Sequence, residues 1–273
     1  MLHRTLTAHN DAADSGNPMH DEAAAKALGF KGAVVPGVTI YGYISHLLLT
    51  HFGDQWLATG YSQVRFRQPV IAGEQLELRG ELSEGPQGEI MSVEVRNAEG
   101  IITTTGKGGM GSDAVSAFHS DGVLVDKPFP AQRSASGPKW PPTEESFRNE
   151  SLLRSFTANF TPEEQHQFRQ EMRDEHEIYA RYLHPAWLLR QANIIVDRNV
   201  AVGAWIHTES EVSNLGLAPL DAPIEVRAEV VDLFERKNNH FVDLDVLILS
   251  VSKTEKPILR ALHRAIYQPA LAS

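Results

Sequence analysis

The spacing of apolar and polar residues changes several times along the chain, and these changes predict its helices and strands. Residues 38–52 carry apolar side chains on nearly every helical face, which predicts a long buried helix. The Ala-rich residues 20–30 predict a shorter helix before it, ended by a Gly. Four runs follow and predict strands: the first three alternate with a period of two, and the fourth is rich in Thr. They are residues 61–66, 74–82, 90–96 and 101–107.

The second half of the chain repeats this order of elements. Residues 184–196 predict a second apolar helix, and charged, helix-prone residues 144–182 precede it. A stretch rich in Gly, Ser, Pro and Asp, residues 108–142, predicts a linker lying over the surface. The second set of predicted strands covers residues 204–212, 224–234, 240–250 and 258–267.

This repeated order predicts an α+β protein of two units, each an antiparallel sheet wrapped around one long helix. We place the first unit at residues 1–110, the linker at 111–145 and the second unit at 146–273. Two such units can lie side by side and join their sheets, which hides one edge of each. Each unit keeps another exposed sheet edge, so a homodimer is reasonable.

Composition narrows the classes of function. The chain has 273 residues, of which 42% are hydrophobic, so it can bury a substantial core. A net charge of −10 argues against a general nucleic-acid binder. The absence of Cys excludes disulfides, thiolate metal sites and a Cys nucleophile. The N-terminal residues lack the apolar segment of a secretory signal, and the longest apolar run is too short to span a bilayer, so we expect a cytoplasmic protein without a membrane partner.

Three blocks in the first half carry a family resemblance: NPMHDEAAAKALGF, VPGVTIYGY and VRFRQPVIAGEQLEL. They resemble the MaoC-like acyl dehydratases, a branch of the hotdog fold that includes R-specific enoyl-CoA hydratases. The resemblance covers residues 9–109 and, with the repeated element order, implies a double hotdog. It implies hydration of 2-enoyl thioesters, or dehydration of 3-hydroxyacyl thioesters, carried on CoA or a carrier protein. Neither a cofactor nor a metal is expected.

The family pattern Gly-Asp-x-Asn-Pro-x-His implies roles for residues of this chain. His20 matches the catalytic His by position, and Asn17 would orient the catalytic residues or the water. An Asp and a His would act together as general base and acid. Asp14 would be that Asp, and the backbone N–H of Gly37, at the start of the long helix, would stabilise the charge that develops on the thioester oxygen.

Two positions depart from the family pattern. The family's Asp lies two residues before the Asn, where this chain has Ser15, so Asp14 reaches the site only if Gly16 lets the loop bulge. The family's His before the helix-opening Gly is Pro36 here. Arg65 and Arg67 share one face of a predicted strand, which suggests either contacts with CoA phosphates or an ion pair at a surface or interface.

Two other functions fit the same fold. A thioesterase needs a carboxylate on or near the central helix, and the sequence has none between Gly37 and Gly53. A protein that binds acyl thioesters without turning them over is favoured by the departures at Asp14 and Pro36. A metal pair of His46 and His51 is disfavoured, because a spacing of five residues does not place two side chains on one helical face.

Overall fold

A single antiparallel sheet of ten strands forms the frame of the protein in the computed structural model, which describes residues 1–85, 88–111, 127–251 and 255–270. The strand order is β1-β3-β4-β5-β2-β7-β10-β9-β8-β6, so each half of the chain supplies five neighbouring strands. In chain order the strands are β1 Leu2–Thr7, β2 Gly60–Phe66, β3 Gln75–Gly85, β4 Gly88–Asn97, β5 Ile102–Met110, β6 Phe156–Ala158, β7 Ile206–Asn214, β8 Ile224–Arg236, β9 Asn239–Val251 and β10 Glu255–Gln268.

The helices connect and fill this sheet. The two long helices, α2 (Gly37–Phe52) and α6 (Pro185–Asn199), pack against each other. Short 3-10 turns at Pro18–His20 and Glu177–Ala180 precede α1 and α6. The helices are α1 Glu22–Ala27, α2 Gly37–Phe52, α3 Trp56–Thr59, α4 Glu144–Asn149, α5 Pro162–Met172 and α6 Pro185–Asn199.

Helix α2 is the buried helix that the sequence predicts, since eleven of its sixteen residues are buried. Gly42 lets its neighbours approach closely. A Cβ there would lie 2.0 Å from the Met172 side chain and 2.9 Å from the Cβ of Ala186. The apolar surface of α2 is therefore covered by its own half of the sheet and by helices of the second half, a burial that dominates the favourable free energy of folding.

Strands β2 and β7 join the two halves into one continuous sheet. Their antiparallel register runs from the pair Tyr61 and Ser213 to the pair Arg65 and Glu209. Both strands are thereby internal, so the junction removes one exposed edge from each half. The α+β class and the arrangement of two helix-filled half-sheets agree with the sequence prediction.

All eight predicted strands are present, with small shifts at their ends. Strands β1 and β6 were not predicted; both are short edge strands. The predicted linker begins inside β5, which continues to Met110, and its residues 112–126 lie outside the described residues. Beyond them, the chain runs over the sheet, where Arg260 donates to the carbonyl of Lys127 and Gln132 donates to Glu225. None of the described helices is long and apolar enough to cross a membrane.

Candidate active site

Two adjoining cavities open at the N-terminus of α2, one of about 1010 Å³ and one of about 290 Å³. Four residues line both: His20, Pro36, Asn193 and Trp205. The first two belong to the N-terminal half, and the other two come from α6 and from the segment before β7. The site is therefore assembled from both halves of the chain, at the place where their helices meet.

His20 ends the 3-10 turn that Asn17 caps through its side-chain oxygen, which accepts from the N–H of Met19 at 3.2 Å. The Nδ1 atom of His20 lies 2.6 Å from the carbonyl oxygen of Val34. Because a carbonyl only accepts, Nδ1 carries the proton of the neutral ring and Nε2 keeps its lone pair. Burial lowers the pKa of His20, an effect partly offset by the Val34 carbonyl and by the charge of Asp11. The ring is thus a neutral base at pH 7.

Asn17 connects this histidine to the second half of the protein. Its Nδ2 donates to the carbonyl of Trp205 at 3.0 Å and lies 3.4 Å from Nε2 of His20. The orienting role implied by the resemblance has a geometric basis in these two contacts. The contact with Trp205 spans 188 residues of sequence, so the sequence pattern alone does not reveal it.

The buried carboxylate of the site is Asp11, a residue that the sequence analysis missed. Its side chain is 1% exposed and forms an ion pair with Arg190 of α6. It also accepts from the hydroxyl of Thr39, in the first turn of α2, at 2.6 Å. Asp11 lies outside the family pattern, and Arg190 is 179 residues away in sequence, so no local signal marked this pair.

Asp14 lines the larger cavity, but its side chain is exposed on the loop before the 3-10 turn. Gly16 does adopt the left-handed conformation that a bulge requires, with φ of 79°. Even so, no hydrogen bond or ion pair joins Asp14 to the His20 ring or to another of the described residues. The structure therefore places Asp11, and not Asp14, as the buried carboxylate whose charge acts on His20.

Gly37 begins α2 and, like His20, lines the smaller cavity. A Cβ at this position would lie 2.9 Å from Nδ1 of His207 and 2.9 Å from Cε2 of Phe66, so the site requires Gly. Pro36 caps the helix without a side-chain hydrogen bond. The N–H of Thr39 donates to the Pro36 carbonyl at 3.0 Å, whereas those of Gly37 and Val38 have no partner among the described residues and can bind a ligand at the positive end of the helix dipole.

The two arginines predicted as phosphate contacts lie in different surroundings, although both are exposed. Arg67 lines the smaller cavity and donates to the hydroxyl of Thr105 at 3.3 Å. Arg65 lines neither cavity and lies near Glu209 of the neighbouring strand. Burial raises the pKa of Glu209, and the charge of Arg65 partly offsets this effect.

A His-Asp cluster lies outside both cavities. His46, Asp174 and His176 place their ligand atoms within 4.8 Å of one another, which is a geometry that can hold a metal ion. Asp174 already lies 3.0 Å from Nδ1 of His46 and 3.3 Å from Nε2 of His184. Burial raises the pKa of Asp174, but these histidines outweigh that effect and lower it below its ordinary value. His51 pairs with Glu89 instead, so His46 and His51 do not act together.

Comparison with known proteins supports this reading of the fold. Residues 13–104 match the family model of the MaoC-like domain. A MaoC domain protein from Chloroflexus aurantiacus superposes with a TM-score of 0.60 at 10% identity, over 99% of this chain and 96% of that one. A Mycobacterium tuberculosis protein with a double hotdog fold superposes with a TM-score of 0.59 at 12% identity, over 97% and 96%.

A Thermobifida fusca protein named as a thioesterase II has a TM-score of 0.52 at 13% identity, over 98% of this chain and 93% of that one. No curated protein matches the sequence significantly. At these identities the superpositions establish the fold alone, and the similarity to the MaoC-like domain is confined to residues 13–104. This chain is therefore a double hotdog protein in which residues 13–104 are similar to the MaoC-like domain.

Proposed function

We propose that this protein is a hydro-lyase that adds water to 2-enoyl thioesters, or removes it from 3-hydroxyacyl thioesters. The observation that carries the proposal is the state of His20. Its Nδ1 proton is held by the Val34 carbonyl, so Nε2 keeps a lone pair that meets Asn17 Nδ2 only at the long distance of 3.4 Å and can accept a proton. This base lines a cavity beside an uncapped helix N-terminus, which can stabilise negative charge.

In the hydration direction, His20 Nε2 takes a proton from water while the water oxygen bonds to C3 of the enoyl group. The electron pair of the C2=C3 bond moves toward the carbonyl, and negative charge develops on the thioester oxygen. The N–H groups in the first turn of α2, beginning at Gly37, stabilise this oxygen. They are fixed before the reaction by the helix itself, so no reorganisation is needed as the charge develops.

The imidazolium of His20 then returns its proton to C2, which completes the addition of one water. Asp11 assists by its charge, since it favours the protonated ring. A carboxylate that is ion-paired with Arg190 and accepts from Thr39 acts as a hydrogen-bond acceptor, so we assign it a stabilising role and not that of an acid. One residue thus serves as base and acid in turn, which differs from the shared roles that the family pattern suggests for Asp14 and His20.

The two cavities differ in lining, which suggests how a thioester lies. The smaller cavity is lined by apolar side chains that suit an acyl group, among them Met19, Val35, Ile40 and Phe66. The larger cavity has polar walls, which suit the amides of the pantetheine arm of CoA or a carrier protein, and its Lys139 is paired with Asp197 at 3.0 Å. This assignment leaves no phosphate role for Arg65 or Arg67. A homodimer stays a prediction.

The test is hydration of enoyl-CoA thioesters of increasing chain length, followed by loss of the enoyl absorbance. We expect His20→Ala to reduce the rate by about two orders of magnitude or more. His51→Ala is the matched control, because His51 lies on α2 but pairs with Glu89 outside both cavities. Release of free thiol from saturated acyl-CoA, with no hydration, would identify a thioesterase instead. Tight binding of acyl-CoA with neither reaction would identify a binding protein.

A further inference from the structure

A chain of buried and part-buried hydrogen bonds leads from α6 to the smaller cavity through side chains that the proposed mechanism does not use. Nε1 of Trp205 lies 2.9 Å from Oδ1 of Asn193, which lies 3.1 Å from Nε2 of His263. Nδ1 of His263 lies 3.0 Å from Oγ of Ser210, and Oγ of Ser210 lies 2.8 Å from Nε2 of His207. We call these five residues the His207 relay.

Every proton in the His207 relay can be assigned from its first member. The indole N–H of Trp205 only donates, so the atom of Asn193 that it meets is the amide oxygen. That oxygen only accepts, so Nε2 of His263 carries a proton and Nδ1 of the same ring has the lone pair. The hydroxyl of Ser210 must then donate to His263, and its oxygen accepts from Nε2–H of His207.

The relay therefore leaves Nδ1 of His207 as a bare lone pair. This atom is buried and has no hydrogen-bond partner among the described residues. The side chain is 8% exposed, lines the smaller cavity and lies against the start of α2 at Gly37. Burial, together with His263, lowers the pKa of His207, an effect that the backbone of Glu209 partly offsets, and burial lowers that of His263 to about 3, so both rings are neutral at pH 7. A buried acceptor without a donor is unfavourable, which indicates that a ligand supplies the donor.

We propose that His207 is a specificity residue of the smaller cavity, where its Nδ1 accepts a hydrogen bond from a hydroxyl group on the acyl chain of the substrate. The proposal rests on the proposed function for the placement of the acyl group. It goes further by assigning a second residue to the C3 hydroxyl, whose oxygen faces His20 in the proposed reaction; both histidines line the smaller cavity. The apolar walls of the cavity hold a hydroxyacyl and a saturated chain alike, so the hydroxyl alone distinguishes the two ligands at His207.

The polarity of the relay can be tested without any ligand. Two-bond ¹H–¹⁵N correlation spectra of the imidazole rings distinguish protonated from bare nitrogens. We expect both His207 and His263 to carry their proton on Nε2 in the intact protein. Ser210→Ala removes the hydroxyl that sets the tautomer of His207, so its ring should then populate both tautomers. A proton on Nδ1 of His207 in the intact protein would overturn the proposal.

The ligand preference is measured by calorimetry in the His20→Ala background, which prevents turnover. The probes are 3-hydroxyacyl-CoA and saturated acyl-CoA of equal length, from butyryl to octanoyl. We expect the hydroxylated ligand to bind about tenfold more tightly, as for one buried hydrogen bond. His207→Phe keeps a ring against Phe66 but removes the acceptor, so the preference should disappear.

Equal binding of the two ligands, or no binding of either, would contradict the proposal. In that case the donor to Nδ1 of His207 would be water and not the ligand. So would an unchanged preference in His207→Phe. Binding is read independently of turnover. If the parent protein hydrates enoyl-CoA but the hydroxylated ligand binds no more tightly, only the role of His207 is rejected. If the hydroxylated ligand binds more tightly but no hydration occurs, only the proposed reaction is rejected.

Discussion

The two aspartates of the loop before His20 allow a matched test, because the family pattern selects Asp14 and the structure selects Asp11. The perturbations are Asp11→Asn and Asp14→Asn, which each remove one charge and keep the size of the side chain. Asn at position 11 can still accept from Thr39, but it leaves Arg190 without its counterion. Breaking a fully buried ion pair costs about 3–5 kcal/mol.

The side chain of Arg190 is 23% exposed, so water offsets part of that cost. We expect Asp11→Asn to lower the free energy of unfolding by about 2–3 kcal/mol. For a chain of this size, that corresponds to a fall of roughly 4–10 °C in Tm. Asp14 is exposed and has no ion pair with the described residues, so Asp14→Asn should stay within about 0.5 kcal/mol of the parent.

The same pair of variants separates the two roles in catalysis. Asp11 raises the pKa of His20, so its replacement should lower that pKa further. Activity requires the neutral ring, and the acid limb of the pH–rate profile of hydration should therefore move to lower pH in Asp11→Asn. The rate on the plateau should fall, because the imidazolium loses its stabilising charge.

Urea unfolding and pH–rate profiles of both variants provide the measurements. A loss of stability or rate in Asp14→Asn equal to that in Asp11→Asn would refute the assignment. So would an acid limb that stays in place in Asp11→Asn.

Two further predictions concern the helix start and the buried histidines. Gly37→Ala should lower the hydration rate and destabilise the protein by about 1–3 kcal/mol, because the new Cβ must displace His207 or Phe66. Gly203→Ala is the control, since a Cβ at that position would have no atom within 4 Å. It should leave the thermal unfolding of the protein nearly unchanged. Burial lowers the pKa of His263 from 6.5 to about 3, so this residue contributes stability that is complete above pH 6.5 and is lost as the pH falls toward 3. His263→Gln should therefore flatten the dependence of unfolding free energy on pH in that range; an unchanged slope would show that His263 does not titrate on unfolding.

The apolar pattern, a Thr-rich run and the repeated order of elements were sufficient to predict the two long helices and eight strands. They were insufficient for β1 and β6. Strand β6 has only three residues, too few to show a period. In β1 only Leu6 is buried, because the strand lies at an edge of the sheet and its other positions carry mixed polarity. Periodicity reports burial, and an edge strand with little burial leaves a weak pattern.

The sequence by itself determined the fold class, the repeat of two helix-filled units, and the local geometry around His20 and Gly37. These features depend on residues close together in the chain, such as the cap that Asn17 provides and the Gly that opens α2. Local hydrogen bonds and backbone freedom act within a few residues, so a short motif is enough to encode them.

Only the tertiary structure decided which carboxylate is buried, which nitrogen of His20 keeps its lone pair, and that Nδ1 of His207 is an acceptor without a donor among the described residues. Asp11 is selected by Arg190 of the other half, and the His207 relay joins α6 to two neighbouring strands. Each of these depends on burial and on partners distant in sequence. Electrostatic and hydrogen-bonding properties follow from the environment of a side chain, and the packing of the two halves creates that environment.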